Sequence, residues 1–189
     1  ETLLFLGDSL TFGARHYLGY PELTGHLLAS QLKNRWNIIN HATNGYRAID
    51  LARSITQNHT NLAAQQPLLS VILIGTNDAK NQTPADEFRI ALEQVVLKAR
   101  YLTRNRRGLL HHIPKQVQRV ALPYTIEMNA AIEEYNRIID ELAAAFNAEV
   151  LEFKLDTSHF SDGVHFNREG THAVAQTLVQ RLLENRGYA

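Results

Sequence analysis

Residues 3–10 read LLFLGDSL, an unbroken apolar run followed by a glycine, an acid and a serine. A continuous apolar run without polar alternation is typical of a strand that is buried on both faces of a parallel sheet. In open sheets of this kind, ligands bind beyond the carboxyl ends of the strands. The stretch therefore predicts that Ser9 lies at the ligand-binding edge of a sheet, where its hydroxyl is a candidate nucleophile.

Strand and helix patterns alternate along the rest of the chain. The predicted strands cover residues 2–7, 36–42, 68–74, 117–122 and 149–153, and the predicted helices cover 21–34, 49–62, 83–104, 129–146 and 168–185. The basic span 104–115 is interpreted as a surface connection. Five strands alternating with five helices predict an α/β fold in which helices cover both faces of a five-stranded parallel sheet. Because the sequence contains no repeat or convincing linker, we expect a single domain over residues 1–189.

The composition excludes several classes of function. The chain carries 19 lysines and arginines against 19 aspartates and glutamates, which argues against nucleic acid or an anionic membrane as a partner. No apolar stretch reaches the roughly 18 residues that a membrane helix needs. The absence of cysteine excludes disulfides and a cysteine nucleophile. The chain begins at Glu1 without a methionine, which we interpret as the removal of a leader, a tag or a disordered residue. We expect a soluble protein, cytoplasmic or exported with its leader removed, and the sequence leaves the compartment open.

Four polar clusters follow predicted strands, at residues 7–9, 44–45, 75–78 and 162–165. Loops that follow parallel strands gather at one edge of the sheet, so these clusters are expected to meet. In the last cluster, Asp162 and His165 are spaced so that the carboxylate can accept a hydrogen bond from one ring nitrogen. The other ring nitrogen can then take the proton of Ser9, as in serine-histidine-aspartate hydrolases.

Three uncharged donors are candidates for stabilising an oxyanion at this edge. They are the backbone N–H of Ser9, the backbone N–H of Gly45 and the side-chain amide of Asn77. Glycine permits a backbone φ above zero that turns its N–H into a site, and asparagine donates without bringing a competing base.

The order of these motifs carries a resemblance to a known family. Residues 7–10 (GDSL), the glycine after the second strand, residues 75–78 (GTND) and residues 162–167 (DGVHFN) resemble the four blocks of the SGNH hydrolases, also called the GDSL esterase and lipase family. The blocks span nearly the whole chain in the expected order, which makes the resemblance far more specific than a lone GDSL stretch.

The resemblance implies a flavodoxin-like three-layer α/β/α sandwich. It also implies that Ser9 is the nucleophile, His165 the base and Asp162 the residue that orients the base. The oxyanion hole would consist of Ser9, Gly45 and Asn77. A protein of this kind hydrolyses acyl esters through an acyl-serine intermediate and needs no metal or organic cofactor.

We expect short-chain or acetyl esters as small-molecule substrates, including those on carbohydrate. Aromatic and polar residues in the predicted strand-end loops are the candidate substrate-binding residues: Tyr46, Arg47, Tyr124, His159 and Phe160. Acyl transfer, thioester hydrolysis and lysophospholipid hydrolysis are alternatives within the same family. An alternative of another class is a non-catalytic module that holds a flavin phosphate, although Asp8 lies close to where the phosphate would go. A metal site at Asp162 and His165 lacks a convincing further ligand.

Other polar residues receive structural interpretations. The carboxylates of Asp8 and Asp78 are expected to accept backbone N–H groups and hold their loops. His111 and His112 are interpreted as residues of a solvated loop.

Overall fold

The computed structural model describes residues 1–14, 18–33, 35–104, 108–115 and 123–184. The strands are β1 (Thr2–Gly7), β2 (Asn37–Ala42), β3 (Leu69–Leu73), β4 (Gly108–His111) and β5 (Glu149–Leu151). The helices are α1 (Ser9–Phe12), α2 (Tyr20–Leu32), α3 (Ala48–Gln57), α4 (His59–Ala64), α5 (Thr76–Lys80), α6 (Ala85–Leu102), α7 (Met128–Phe146) and α8 (Arg168–Glu184). A short 3₁₀ turn covers Thr157–His159.

All strands of the described sheet are parallel, and their order is β2-β1-β3-β4-β5. This is the strand order of flavodoxin-like folds. The chain places β2 on one side of β1 and then crosses over to place β3, β4 and β5 on the other side. Gly7 at the end of β1 lies opposite Ala42 of β2 and Leu73 of β3. The loops after these three strands therefore start side by side at one edge of the sheet.

Two hydrophobic clusters cover the two faces of the sheet. Leu4 and Leu6 of β1 pack in one cluster with α3, α6 and α7, whereas Leu3 and Phe5 pack in the other with α2 and α8. This alternation follows from the period of two in a strand, which sends successive side chains to opposite faces. The prediction of a three-layer α/β/α sandwich with a five-stranded parallel sheet is confirmed.

The described sheet contains a strand that the sequence did not predict. Gly108–His111 forms β4 between β3 and β5, within the span that was interpreted as a surface connection, so that interpretation is wrong. Leu109 and Leu110 are fully buried and belong to opposite clusters. The predicted strand over 117–122 lies outside the described residues.

Three helices also differ from the prediction. The helix expected over residues 49–62 is divided at Asn58, which ends α3 and precedes α4. Two short helices also lie where loops were expected. Helix α1 begins two residues after the end of β1, and α5 begins two residues after Ile74. In the part of the chain that the structure describes, no helix is long and apolar enough to cross a membrane.

Candidate active site

Ser9 is the first residue of α1, and the residues before it explain this position. A Cβ atom on Gly7 would lie 2.4 Å from the carbonyl oxygen of Leu73, so only glycine lets β1 and β3 approach this closely. Asp8 then caps α1, because its Oδ1 accepts a hydrogen bond from the backbone N–H of Leu10 at 3.0 Å. Ser9 itself is only 5% exposed.

Asp162 and His165 are held together by a tight loop before α8. Phe160 and Phe166 form an antiparallel bridge across this loop, and the backbone N–H of Ser161 donates to the carbonyl of His165 at 2.9 Å. Oδ1 of Asp162 accepts the backbone N–H of His165 at 2.8 Å. These bonds fix the carboxylate and the imidazole on the same side of the loop.

The imidazole of His165 connects Asp162 with Ser9. Its Nδ1 lies 2.8 Å from Oδ2 of Asp162, and its Nε2 lies 3.0 Å from Oγ of Ser9. An ionised carboxylate only accepts hydrogen bonds, so Nδ1 carries the proton and Nε2 is free to accept the hydroxyl hydrogen of Ser9. The predicted trio is therefore brought together in one hydrogen-bonded chain.

The ionisation of Asp162 supports this assignment of protons. Partial burial acts to raise the pKa of its carboxyl group, but hydrogen bonds from the backbone and ring of His165, together with the backbone of Val164, outweigh burial. The pKa consequently lies below its ordinary value, and Asp162 is a carboxylate at neutral pH.

The three candidate oxyanion donors come from the ends of β1, β2 and β3. Gly45 has a φ of +81°, the left-handed conformation that favours glycine. Among the described residues, the backbone N–H groups of Ser9 and Gly45 donate to no protein acceptor. The amide of Asn77 is fully buried and uses one N–H to bond the carbonyl of Tyr46 at 3.1 Å, which leaves its second N–H available.

The comparison with known proteins agrees with this geometry. Residues 5–173 match the GDSL-like lipase/acylhydrolase family. The chain belongs to this family. It is therefore a carboxylic ester hydrolase, and the alternative of a non-catalytic flavin-binding module is wrong. No protein of curated function matches the sequence.

Solved structures of hydrolases share the fold of this GDSL-family chain. LAE5, an α/β hydrolase from the metagenome of Lake Arreo in Spain, is 19% identical with a TM-score of 0.75, over 95% of this chain and 93% of LAE5. The acetylxylan esterase Axe2 from Geobacillus stearothermophilus is 21% identical with a TM-score of 0.73, over 96% and 94% of the two chains. The acetyl xylan esterase AlAXEase is 20% identical with a TM-score of 0.79, over 96% and 100%. At these identities the likeness concerns the fold.

Two buried acids support the loops of the GDSL-family site. Asp8 caps α1, and Oδ2 of Asp78 accepts the backbone N–H of Ala48 at 2.9 Å, which ties α5 to the start of α3. These contacts confirm that both carboxylates hold backbone. Burial raises the pKa of Asp8 to about 7, with a further contribution from the charge of Asp78. Burial also raises the pKa of Asp78 to about 6.

Tyr124 is a candidate substrate-binding residue whose ring contacts the trio. Its ring meets the imidazole of His165 edge to face, with the centroids 6.0 Å apart, and its hydroxyl donates to Oδ1 of Asn77 at 3.4 Å. The ammonium group of Lys80 lies 5.5 Å from the centre of the same ring. Sequence reasoning missed Lys80, although its position three residues after Asn77 in α5 was a possible signal. Tyr46 is half-buried, and its carbonyl anchors Asn77.

The other candidate substrate-binding residues have structural partners. The side chain of Arg47 bonds Asp50 at the start of α3, at 3.4 Å. Nδ1 of His159 lies 2.9 Å from the carboxylate of Asp156. Phe160 is 9% exposed and packs in the cluster with α8, and its role in substrate binding stays a prediction.

His111 contradicts its sequence interpretation. It is 1% exposed at the end of β4, with its ring stacked on Phe153 at a centroid distance of 4.6 Å. Among the described residues, neither ring nitrogen has a hydrogen-bond partner. The burial lowers the pKa of His111 to about 3, with a further contribution from His112. His112 lies in the loop that follows, where Nε2 bonds the carboxylate of Asp140 at 2.8 Å.

Proposed function

We propose that the chain is a serine esterase that removes acetyl and other short acyl groups from carbohydrate hydroxyls, with Ser9 as its nucleophile. One observation carries the proposal: hydrogen bonds run from Oδ2 of Asp162 through the imidazole of His165 to Oγ of Ser9. A serine hydroxyl is a weak nucleophile by itself, and an adjacent base in the correct tautomer activates it.

In the first step, Oγ of Ser9 forms a bond to the ester carbonyl carbon while Nε2 of His165 takes the hydroxyl proton. The imidazolium ion that forms lies against the carboxylate of Asp162, which stabilises its charge. When the tetrahedral intermediate collapses, the bond to the alcohol oxygen breaks and His165 gives its proton to that oxygen. The products of this half-reaction are the free alcohol and acyl-Ser9.

Water completes the cycle, and His165 again acts first as a base and then as an acid. His165 takes a proton from water, the hydroxide forms a bond to the acyl carbon, and the ester bond to Ser9 breaks as the proton returns to Oγ. In both half-reactions the carbonyl oxygen becomes negatively charged. The N–H groups of Ser9 and Gly45 and the second N–H of Asn77 are the donors we propose for this charge.

The proposed acyl group is small because the nucleophile is enclosed. Ser9 and His165 are 5% and 7% exposed, so little of the nucleophile and the base is open for a long acyl chain to cover. The carbohydrate part of the proposal is supported by similar structures described as acetyl xylan esterases. Polar side chains around Tyr124 and Lys80 suit a hydroxyl-rich alcohol better than a lipid.

Two variants test the role of Ser9. Ser9→Ala should fold like the wild type and lower kcat on nitrophenyl acetate by about 10⁴-fold or more, as expected when a triad nucleophile is removed. The control is Ser30→Ala, because Ser30 is exposed on α2 and its hydroxyl bonds only a carbonyl of the same helix. Mass spectrometry of the wild type with a slow ester should find the acyl group on Ser9. Normal turnover by Ser9→Ala would overturn the mechanism.

A series of nitrophenyl esters and acetylated oligosaccharides tests the substrate. We expect the highest kcat/KM for acetyl esters, with a steep fall as the acyl chain lengthens, and release of acetate from acetylated xylo-oligosaccharides. Higher activity on long-chain esters would overturn the proposed substrate while leaving the role of Ser9 intact.

A further inference from the structure

A cavity of about 470 Å³ lies between α5, the start of α6 and the start of α7. This volume is within the range of pockets that bind small molecules. Its polar lining residues include Lys80, Gln82, Thr83, Glu127 and Glu134. Neither Ser9 nor His165 lines the cavity, so its walls take no part in the proton transfers of the proposed reaction.

Tyr124 connects this cavity with the proposed catalytic residues. Its neighbours in the chain, Pro123 and Thr125, both line the cavity, and Lys80 from the cavity wall lies over its ring. The same ring meets His165, and its hydroxyl bonds Asn77. Lys80 and the ring of Tyr124 therefore link the cavity wall to the base that protonates the leaving alcohol.

The polar part of the wall offers unused hydrogen-bonding groups. Oγ1 of Thr83 is buried and has no partner among the described residues. Lys80 is half-buried, and no carboxylate in the described ranges forms an ion pair with it. Glu134 adds an acceptor, whereas the carboxylate of Glu127 already accepts a hydrogen bond from the side chain of Thr125. An acyl chain in this cavity would cover these groups without satisfying them, which is unfavourable.

The rest of the wall is apolar, and this combination favours one class of ligand. Pro84, Ala85, Met128 and Ala131 contribute carbon surface. A sugar ring presents C–H faces and hydroxyl edges, so it can use both kinds of wall at once. The lining side chains Lys80, Glu127 and Glu134 sum to a single negative charge, which favours a neutral sugar over an acidic one.

We propose that this cavity binds a neutral sugar unit of the alcohol that carries the ester, and so selects acetylated saccharides over simple acetates. The proposal rests on the proposed function, since the saccharide is the leaving group that His165 protonates. Lys80 on the cavity wall would contact the bound sugar, and Tyr124, which lies between Lys80 and the imidazole, would help to orient the ester towards Ser9.

Two cavity variants and one control test the proposal. Glu134→Gln removes a charged acceptor, and Ala131→Phe fills the cavity from the same helix. For each variant, kcat/KM is measured on acetylated xylo-oligosaccharides and on nitrophenyl acetate. We expect the ratio of the two values to fall about tenfold for Glu134→Gln, which corresponds to the loss of one hydrogen bond to a charged group, and further for Ala131→Phe. Glu133→Gln is the matched control, because Glu133 points to Lys115 outside the cavity, and its ratio should equal that of the wild type.

A binding experiment separates this proposal from the reaction. Ser9→Ala should bind xylotriose in calorimetry, and adding Ala131→Phe should abolish that binding while the unfolding midpoint stays within a few degrees. An unchanged substrate ratio in both cavity variants, or xylotriose binding that survives Ala131→Phe, would overturn the cavity proposal. A selective loss of long-chain nitrophenyl esters in Ala131→Phe would also overturn it, by assigning the cavity to the acyl group. Failure of the proposed function differs from all of these, because the wild type would then release no acetate from either substrate.

Discussion

Asp162 bonds His165 twice, through the backbone N–H at Oδ1 and through the ring Nδ1 at Oδ2, each at 2.8 Å. The first bond fixes the loop and the second fixes the tautomer of the ring. A single side chain thus determines both where the imidazole lies and which of its nitrogens faces Ser9.

Asp162→Asn should separate these two effects. The asparagine can keep its carbonyl oxygen on the backbone N–H groups, but its NH₂ then faces Nδ1 and favours the tautomer with the proton on Nε2. We expect kcat to fall by about 10⁴-fold, as in serine-histidine-aspartate hydrolases generally, with little change in the free energy of unfolding.

Steady-state kinetics on nitrophenyl acetate and urea unfolding give the two quantities. Asp156→Asn is the control, since Asp156 bonds His159 in the neighbouring turn instead of His165. Activity of Asp162→Asn within tenfold of the wild type would contradict the assigned tautomer.

The sequence predicted the catalytic edge better than the sheet that builds it. Ser9, Asn77 and the loop 162–165 lie where the strand ends were expected to bring them, because parallel order follows from alternating strands and helices. The strand at Gly108–His111 was missed because it is short, contains a glycine and follows a basic stretch. Its burial comes from β3 and β5 on either side, which are distant in sequence and leave no local signal.

Phe160 shows the same limit within the site. An aromatic residue in a strand-end loop fits a cleft wall as well as a core, and the bridge of Phe160 to Phe166 could not be read from the sequence. The cavity beside Tyr124 was also invisible in the sequence, because its walls come from α5, α6 and α7. Motifs predict side chains that act at strand ends, whereas cavities depend on how separate helices pack.

His111 should make the protein less stable in acid. Burial lowers its pKa in the folded protein to about 3 from an ordinary value of 6.5, so between these values the unfolded chain binds more protons. Stability from this residue is complete above pH 6.5 and is lost as the pH falls towards 3. Relative to the wild type, His111→Leu should therefore gain about 2 kcal/mol in free energy of unfolding between pH 8 and pH 5.

Urea unfolding at the two pH values measures this gain. Comparing variant with wild type at each pH removes the cost of the lost ring contact with Phe153, which does not depend on pH. His59→Leu is the control, because His59 is exposed on α4 and contacts water in both states. If the free energy of unfolding of His111→Leu relative to the wild type is the same at pH 5 and pH 8, the lowered pKa of His111 is contradicted.

Asp8 should have the opposite pH dependence. Burial raises its folded pKa to about 7 from 3.8, so between these values the folded protein binds more protons than the unfolded chain. Stability from Asp8 is present in acid and is lost as the pH rises towards 7. Asp8→Asn keeps an acceptor for Leu10 without the charge, and its free energy of unfolding relative to the wild type should rise by about 3 kcal/mol from pH 5 to pH 8.

The same urea experiments give this value, with Asp86→Asn as the control because Asp86 is an exposed acid in the first turn of α6. If the free energy of unfolding of Asp8→Asn relative to the wild type falls from pH 5 to pH 8, the folded protein stabilises Asp8 as a carboxylate.

Gly7 and Gly45 are required for different reasons, and alanine at each position should separate them. At Gly7 the added Cβ would lie 2.4 Å from a backbone oxygen of Leu73, so β1 and β3 must move apart. We expect Gly7→Ala to cost about 3 kcal/mol, as in overpacked cores, and to displace Ser9. At Gly45 nothing lies within 4 Å of the added Cβ, and the cost is the strain of alanine at a φ of +81°, about 1 kcal/mol.

Urea unfolding ranks the two variants by their free energy of unfolding. Their activities are compared through kcat at a temperature where both variants are folded. Gly45→Ala should lose more activity than its small loss of stability explains, because relief of the strain turns its N–H away from the proposed oxyanion. The two alanines act through different causes, a backbone collision in one case and a backbone torsion in the other. A larger loss of stability in Gly45→Ala than in Gly7→Ala would contradict the close approach of β1 to β3, on which the position of Ser9 depends.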